Sequence, residues 1–343
     1  MKALVLEDYM KLVYKDVPEP SIGPGEVLVE VKAAGICGSD VHGMDGSTGR
    51  RIPPVIMGHE ASGIIRETGS DIKDWKTGDR VTFDSTIYPL NDWFTKKGMY
   101  NLSDDRMVLG VSAKEFRRDG AYAELIAVPG HILYKIPENV SFTRAAMVEP
   151  AAVALHAVNL TPVSVNDTAV IVGSGMIGLF VIQMLRLAGC TEIIAIDIDD
   201  DKLFLAEKLG ATLLLNPERT DVAGEIRGIT SGRGADIAFE AVGNGSAVNT
   251  AVNALRKGGA LTILGNLSPI VDIPLQFIVT RQLRIQGSCA INGEYEPVLE
   301  LIERDLINTD VILSAEAPLS EGAEWFKRLY DKEKGLNKVV LIP

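Results

Sequence analysis

One stretch restricts the fold of this chain more than any other. Val170-Ile171-Val172 is a run of strand formers that passes directly into Gly173-Ser174-Gly175-Met176-Ile177-Gly178, and a helical pattern follows from Met176 to Leu187. Gly173 permits a tight turn, Gly175 lets backbone come close to a bound group, and Gly178 allows the helix to pack on its strand. A strand, tight turn and helix in this order make half of a βαβ unit, which needs parallel neighbours to cover its strand. The chain supplies them. Strands are expected at Ala169–Val172, Ile193–Asp197, Thr212–Leu215, Asp236–Glu240, Ala260–Leu264 and Leu283–Gln286. Helical patterns at Met176–Leu187, Asp200–Leu209 and Ser246–Leu255 separate most of them. This alternation predicts an α/β fold with a doubly wound, six-stranded parallel sheet of the Rossmann kind.

In that context G-x-G-x-x-G reads as a dinucleotide site. A pyrophosphate would sit on the helix N-terminus at Met176 and Ile177, where free N–H groups and the helix dipole favour negative charge. Asp197 ends the next expected strand, about 20 residues beyond the motif, where a carboxylate binds ribose hydroxyls. The run Asp197-Ile198-Asp199-Asp200-Asp201 offers four carboxylates and no arginine for a 2′-phosphate, which favours NAD over NADP. Asp199, Asp200 and Asp201 also suit the cap and first turn of the following helix.

The chain has 343 residues, and at about 150 residues per domain a second domain is expected. The first 150 residues differ in character from the alternating part. Glu26–Val31 alternates with period two, and short apolar runs at Arg80–Phe83, Ala121–Val128 and Ile132–Ile136 are bounded by Gly or Pro, as in a small irregular β-barrel or folded sheet. Thr143–Leu160 then reads as helical. The tail from Glu294 has two helical patterns and a last apolar strand, Lys338–Ile342.

Within the β-rich part, histidine, cysteine and carboxylates gather in three places: Cys37-Gly-Ser39-Asp40-Val-His42, Gly58-His59-Glu60 and Glu149-Pro150. The chain has only 4 histidines, and two of them fall here. One thiolate, one imidazole and carboxylates suit a catalytic zinc site, which keeps a coordination position open. With 3 cysteines in all, a disulfide framework is excluded, and the thiols read as reduced, in a cytoplasmic protein. A net charge of −12 without any basic block disfavours nucleic acid and anionic membrane surfaces. The apolar stretch Ala169–Leu187 carries Gly173, Gly175, Gly178, Gln183 and Arg186, so it is no membrane span, and Met1–Lys11 is no signal peptide.

These motifs resemble, along essentially the whole chain, the zinc-dependent medium-chain dehydrogenases. Gly58-His-Glu-Ala-Ser-Gly63, continuing to Gly69 and Ile72, matches the zinc-alcohol-dehydrogenase signature, and Glu240-Ala-Val-Gly243 also falls in the family's order. The resemblance implies a GroES-like catalytic domain over residues 1–155, completed by 290–343, and a Rossmann domain over 156–289. Cys190 and Cys289 do not match the second cysteine ligand of alcohol dehydrogenases. The chain is closer to the sorbitol, sugar and threonine dehydrogenases, in which Cys37, His59 and Glu60 would ligate zinc. Glu149 would hold a water at the metal or exchange with Glu60, and Asp40 would fix the tautomer of His59. Ser39 and His42 match the family's proton relay, which runs through the nicotinamide ribose. Val242, Gly243 and Asn266 match the nicotinamide pocket. The positions of a second, structural zinc are Pro89, Asp92, Thr95 and Ser103, without a thiolate, so one zinc per chain is expected. Order in that lobe is then expected from packing of Trp93, Phe94, Met99, Tyr100 and Leu102.

The reaction implied is reversible oxidation of a secondary hydroxyl, in a polyol, sugar alcohol or sugar phosphate, to a ketone with NAD. Gly49-Arg50-Arg51 suits a polar substrate with several hydroxyls, a phosphorylated one included. Oxidation of L-threonine at C3 is the alternative, and a catalytically inactive nucleotide-binding protein is the alternative of another class. Relatives of this kind form homodimers or homotetramers.

Overall fold

A computed structural model describes residues 1–112 and 118–343 of the chain. It divides into two compact units, Met1–Glu149 with Ile291–Pro343, and Pro150–Ala290. The division expected after residue 155 falls inside one helix, Val148–Leu160, because nothing in that stretch breaks the helix and the chain changes units in its first turn.

The second unit is built on a six-stranded parallel sheet. Its order is Leu213–Leu215, Glu192–Ile196, Thr168–Val172, Ala235–Glu240, Leu255–Ile263 and Arg284–Gly287, the doubly wound order with the glycine-motif strand in the middle. Val170, Ile171, Ile194, Ala195, Ala238 and Phe239 are fully buried, because helices cover both faces of the sheet. Full burial of each large apolar side chain contributes about 1.5–3 kcal/mol. The helix Asp200–Leu209 illustrates the local code. Asp199 caps its N-terminus by accepting from the Asp201 amide, two acidic residues fill the first turn, and Gly210 closes it at φ 114°. Two further helices, Val222–Ile229 and Leu275–Arg281, lie between the expected strands. The fifth strand begins at Leu255, where a helix end was expected.

The first unit contains a seven-stranded sheet and a three-stranded one. In the larger, Leu133–Lys135, Arg80–Phe83, Glu60–Thr68, Glu26–Gly35, Lys338–Ile342 and Leu313–Pro318 lie side by side, and Leu125–Pro129 also pairs with Glu26–Gly35. The smaller joins the hairpin Lys2–Asp8/Lys11–Asp16 to Val55–Ile56. Register matters here. Gly35 stands opposite Glu60 on one side and opposite Val340 on the other, so the C-terminal strand is brought against the second candidate motif. Thr143–Leu160 is two helices, Phe142–Ala146 and Val148–Leu160, the first capped by Ser141. Among the described residues no helix is long and apolar enough to cross a membrane.

Candidate functional site

Cys37 ends the turn after the Glu26–Gly35 strand and caps a single-turn helix, Gly38–Gly43, its sulfur accepting from the Ser39 amide. Glu60 opens the antiparallel neighbour of that strand, and His59 immediately precedes it. The two motifs therefore converge, and one ligand atom from each of Cys37, His59 and Glu60 lies within 4.8 Å of the others. Desolvation pushes the Cys37 thiol well up, and the carboxylates of Glu60 and Asp40 push it further. A cation held between these groups would reverse that balance and favour the thiolate.

The donor set fits a zinc ion on further grounds. Glu60 is fully buried; its Oε2 is paired with the Lys338 ammonium, whereas its Oε1 has no hydrogen-bond partner. His59 Nδ1 lies 3.4 Å from Asp40 Oδ2, also without a hydrogen bond, which leaves the Nε2 side of the ring for a ligand. Lys338 is fully buried as well, and it also donates to the Ile36 carbonyl at 2.9 Å. Gly35 is required at this point, since a Cβ there would lie 2.8 Å from Lys338 Nζ. No sequence pattern marked Lys338 as part of this site, because its partner lies 278 residues away.

Glu149 stands outside the three-residue cluster. Burial, with the carboxylates of Glu60 and Asp84 adding to it, pushes its carboxyl up to about 7 against the opposing effect of His59 and Ser85. The Ser85 hydroxyl donates to Glu149 Oε1 at 3.1 Å. Asp40 is fully buried, which by itself would raise its carboxyl, but Arg51 and His59 beside it hold it below the usual carboxylate range. Ser39 and His42 lie three residues apart on the Gly38–Gly43 helix, and both are exposed. Arg51 turns inward and only 3% of it is exposed, so it is not free for a substrate phosphate; Arg50 is exposed.

The lobe is ordered differently from the expectation. Trp93 is 62% exposed and Leu102 39%, so neither is buried bulk. Instead Tyr100 stacks on Tyr88 with ring centroids 4.2 Å apart, donates to Asp84 Oδ2 at 2.7 Å, and accepts from the Gly293 amide at 2.8 Å. Asn292 adds a bond to the Gly98 carbonyl at 2.7 Å. Asp84 is buried, which pushes its carboxyl up to about 6. Of the matching metal positions, Asp92 is engaged in capping Trp93–Lys96 through the Thr95 amide. Polar anchors win over apolar bulk because a lobe this small can bury few of its rings.

In the second unit, Gly173 has φ +97°, and a Cβ there would lie 2.6 Å from Val242. Gly175 caps the helix Met176–Leu187 without any side-chain bond, leaving the first N–H groups of Met176 and Ile177 open to an anion. Asp197 follows the Glu192–Ile196 strand; its Oδ2 accepts from the Ser174 amide at 2.7 Å and its Oδ1 from the Asp199 amide at 3.0 Å. The carboxylate thus faces the glycine loop. One expectation changes: Arg219, from the loop after the next strand, pairs with Asp200, so a cation does stand near the acidic run. Val242 and Gly243 donate their amides to buried Glu240 at 2.9 and 2.7 Å, and Gly243, at φ +87°, packs against the backbone of exposed Asn266.

Comparison with known proteins places both units in one family. Residues 177–304 match the family described as zinc-binding dehydrogenase, and residues 23–138 match the alcohol dehydrogenase GroES-like domain. The chain is 32% identical to a sorbitol dehydrogenase of Bacillus subtilis, over 100% of this chain and 97% of that protein. It is 31% identical to a D-arabitol-phosphate dehydrogenase of Enterococcus avium, over 94% of this chain and 92% of the other. Among solved structures, a zinc-binding dehydrogenase of Sinorhizobium meliloti bound to NADP superposes with a TM-score of 0.92 at 32% identity, covering 100% of this chain and 99% of that one.

Proposed function

The chain belongs to the zinc-dependent medium-chain dehydrogenases, in their sorbitol and polyol dehydrogenase-like subgroup, and from that membership we propose that it reversibly oxidises a secondary hydroxyl of a polyol, sugar alcohol or sugar phosphate to a ketone with NAD. The observation that carries this reading is the convergence of Cys37, His59 and Glu60 within 4.8 Å, with a buried Glu60 oxygen left without a partner. Zinc held there supplies Lewis acidity, which makes the substrate hydroxyl easier to deprotonate near neutral pH, and NAD supplies the hydride acceptor. Glu149, buried near these groups, would hold a water at the metal or take the place of Glu60 as a ligand. Ser39 accepts the hydroxyl proton as it gives up its own, and His42, one turn along the same helix and also exposed, returns it to solvent.

For the cofactor, Met176, Ile177 and the glycine loop hold the pyrophosphate, and Asp197 holds the ribose hydroxyls. Asp197 repels a 2′-phosphate. Arg219, exposed and paired with Asp200, is a cation beside this run, and kinetics with the two cofactors weigh it against Asp197. Val242, Gly243 and Asn266 line the nicotinamide end, with Glu240 holding the first two in place. A panel of polyols, sugar phosphates and L-threonine, followed by NADH absorbance with NAD and with NADP, tests the reading. A polyol or its phosphate should lead the panel, with kcat/KM at least tenfold higher for NAD. Turnover of threonine alone, or equal use of the two cofactors, would overturn the substrate or the cofactor assignment.

A further inference from the structure

Arg51 sits at a junction of the site that neither the motifs nor the reaction scheme assigns. Its guanidinium Nε donates to Asp40 Oδ1 at 2.8 Å, and one terminal nitrogen lies 2.6 Å from the same oxygen. That terminal nitrogen also donates to Ser39 Oγ at 3.2 Å, and the other reaches the Arg50 carbonyl at 3.4 Å. Beyond Asp40, the other carboxylate oxygen accepts from the Tyr122 hydroxyl at 2.9 Å and faces His59 Nδ1 at 3.4 Å. One cation therefore touches both the serine that takes the substrate proton and the carboxylate behind a zinc ligand.

The local structure holds Arg51 there. Gly43 leaves the room it needs, since a Cβ at that position would lie 2.6 Å from Arg51 Cγ. The next residue, Ile52, is clamped through its backbone by the Ser112 hydroxyl, which donates to the Ile52 carbonyl at 2.7 Å. A guanidinium only donates, so at this contact Ser39 Oγ must accept. Its own hydrogen is then directed to Cys37 Sγ, 3.3 Å away. The remaining lone pair of Ser39 is left in one fixed direction for an incoming proton, and as that proton is taken up the serine gives its own hydrogen on toward His42. A lysine could not do the same, because an ammonium is a point charge without the planar fork that reaches two acceptors at once.

We propose that Arg51 is a positioning residue for the oxidation, fixing the Ser39 hydroxyl as a proton acceptor and, through Asp40, the orientation of His59 on the metal. This rests on the polyol dehydrogenase reading above. The test compares wild type, Arg51→Lys, Ser39→Ala and the double variant as zinc-loaded enzymes. Partners that orient metal ligands typically change metal affinity or activity 10–100-fold, which sets the scale. Arg51→Lys should lower kcat about tenfold to a hundredfold with KM within about threefold, and the loss it causes should be smaller in the Ser39→Ala background than in wild type, what remains there coming through Asp40. A chelator should strip zinc from Arg51→Lys about tenfold faster than from wild type. Losses that multiply in the double variant, or unchanged zinc release together with kcat within about twofold, would overturn the proposal. If Arg51→Lys does not fold, Arg51→Gln is read in the same assays against the same outcomes. Zinc release needs no turnover, so it still decides the Asp40 arm if no substrate in the panel is oxidised.

Discussion

Replacing Lys338 by Met would expose how the buried carboxylate of Glu60 is balanced. Both groups are fully buried, and the ammonium faces Glu60 Oε2 while also donating to the Ile36 carbonyl. Methionine keeps much of the stem volume but removes the charge and the donors. Removing one member of a buried ion pair costs about 3–5 kcal/mol, because the other is left without a counter-charge. In a unit of roughly 200 residues that is a fall in Tm on the order of 10 °C for the metal-free protein. Zinc should recover a good part of the loss, since it would supply the missing positive charge at Glu60 and no longer meet the repulsion of the lysine. If about 3 kcal/mol were recovered, zinc would bind the variant roughly a hundredfold more tightly than wild type. Calorimetric melting of metal-free and zinc-loaded protein, for both variants, measures the cycle. An apo variant as stable as wild type, or an equal zinc-induced rise in Tm for the two proteins, would refute the argument.

Cys37→Ser and His59→Ala should each abolish turnover while NADH still binds, because the ligand set and the glycine motif belong to different units; activity beside a fluorescence titration with NADH checks this, and near-wild-type turnover would mean the residues are structural. Metal analysis of protein purified without added zinc should give one zinc per chain, since Asp92 already caps a helix and the other matching positions are poor ligands. Two tightly held zinc ions would contradict it. Tyr100→Phe should destabilise the lobe by about 1–3 kcal/mol, by removing the donor to Asp84 and the acceptor of the Gly293 amide. Faster hydrogen exchange across residues 88–103, with zinc content unchanged, is the expected signature, and unaltered exchange would return the credit to packing.

What the sequence determined by itself is local chemistry. Two glycines of the motif could be read because φ +97° at Gly173 and a Cβ at Gly178 only 1.9 Å from the Gly173 carbonyl oxygen disfavour any other residue, and these demands act within a few positions. Cys37, His59 and Glu60 could be read because each sits in a short run of metal-ligating types. The central strands of the parallel sheet were legible from their continuous apolar runs, which burial on both faces requires. Only the tertiary structure decided how the charges are answered. Arg51, read with Arg50 as suiting a polar substrate, instead turns its fork onto Asp40 and Ser39, and Arg219 meets Asp200 only because its loop brings it there. Lys338 belongs to the last strand of the chain, yet the pairing of that strand with Glu26–Gly35 delivers it to Glu60. A buried charge must find a partner wherever the fold provides one, and distance along the chain carries no information about which partner that will be.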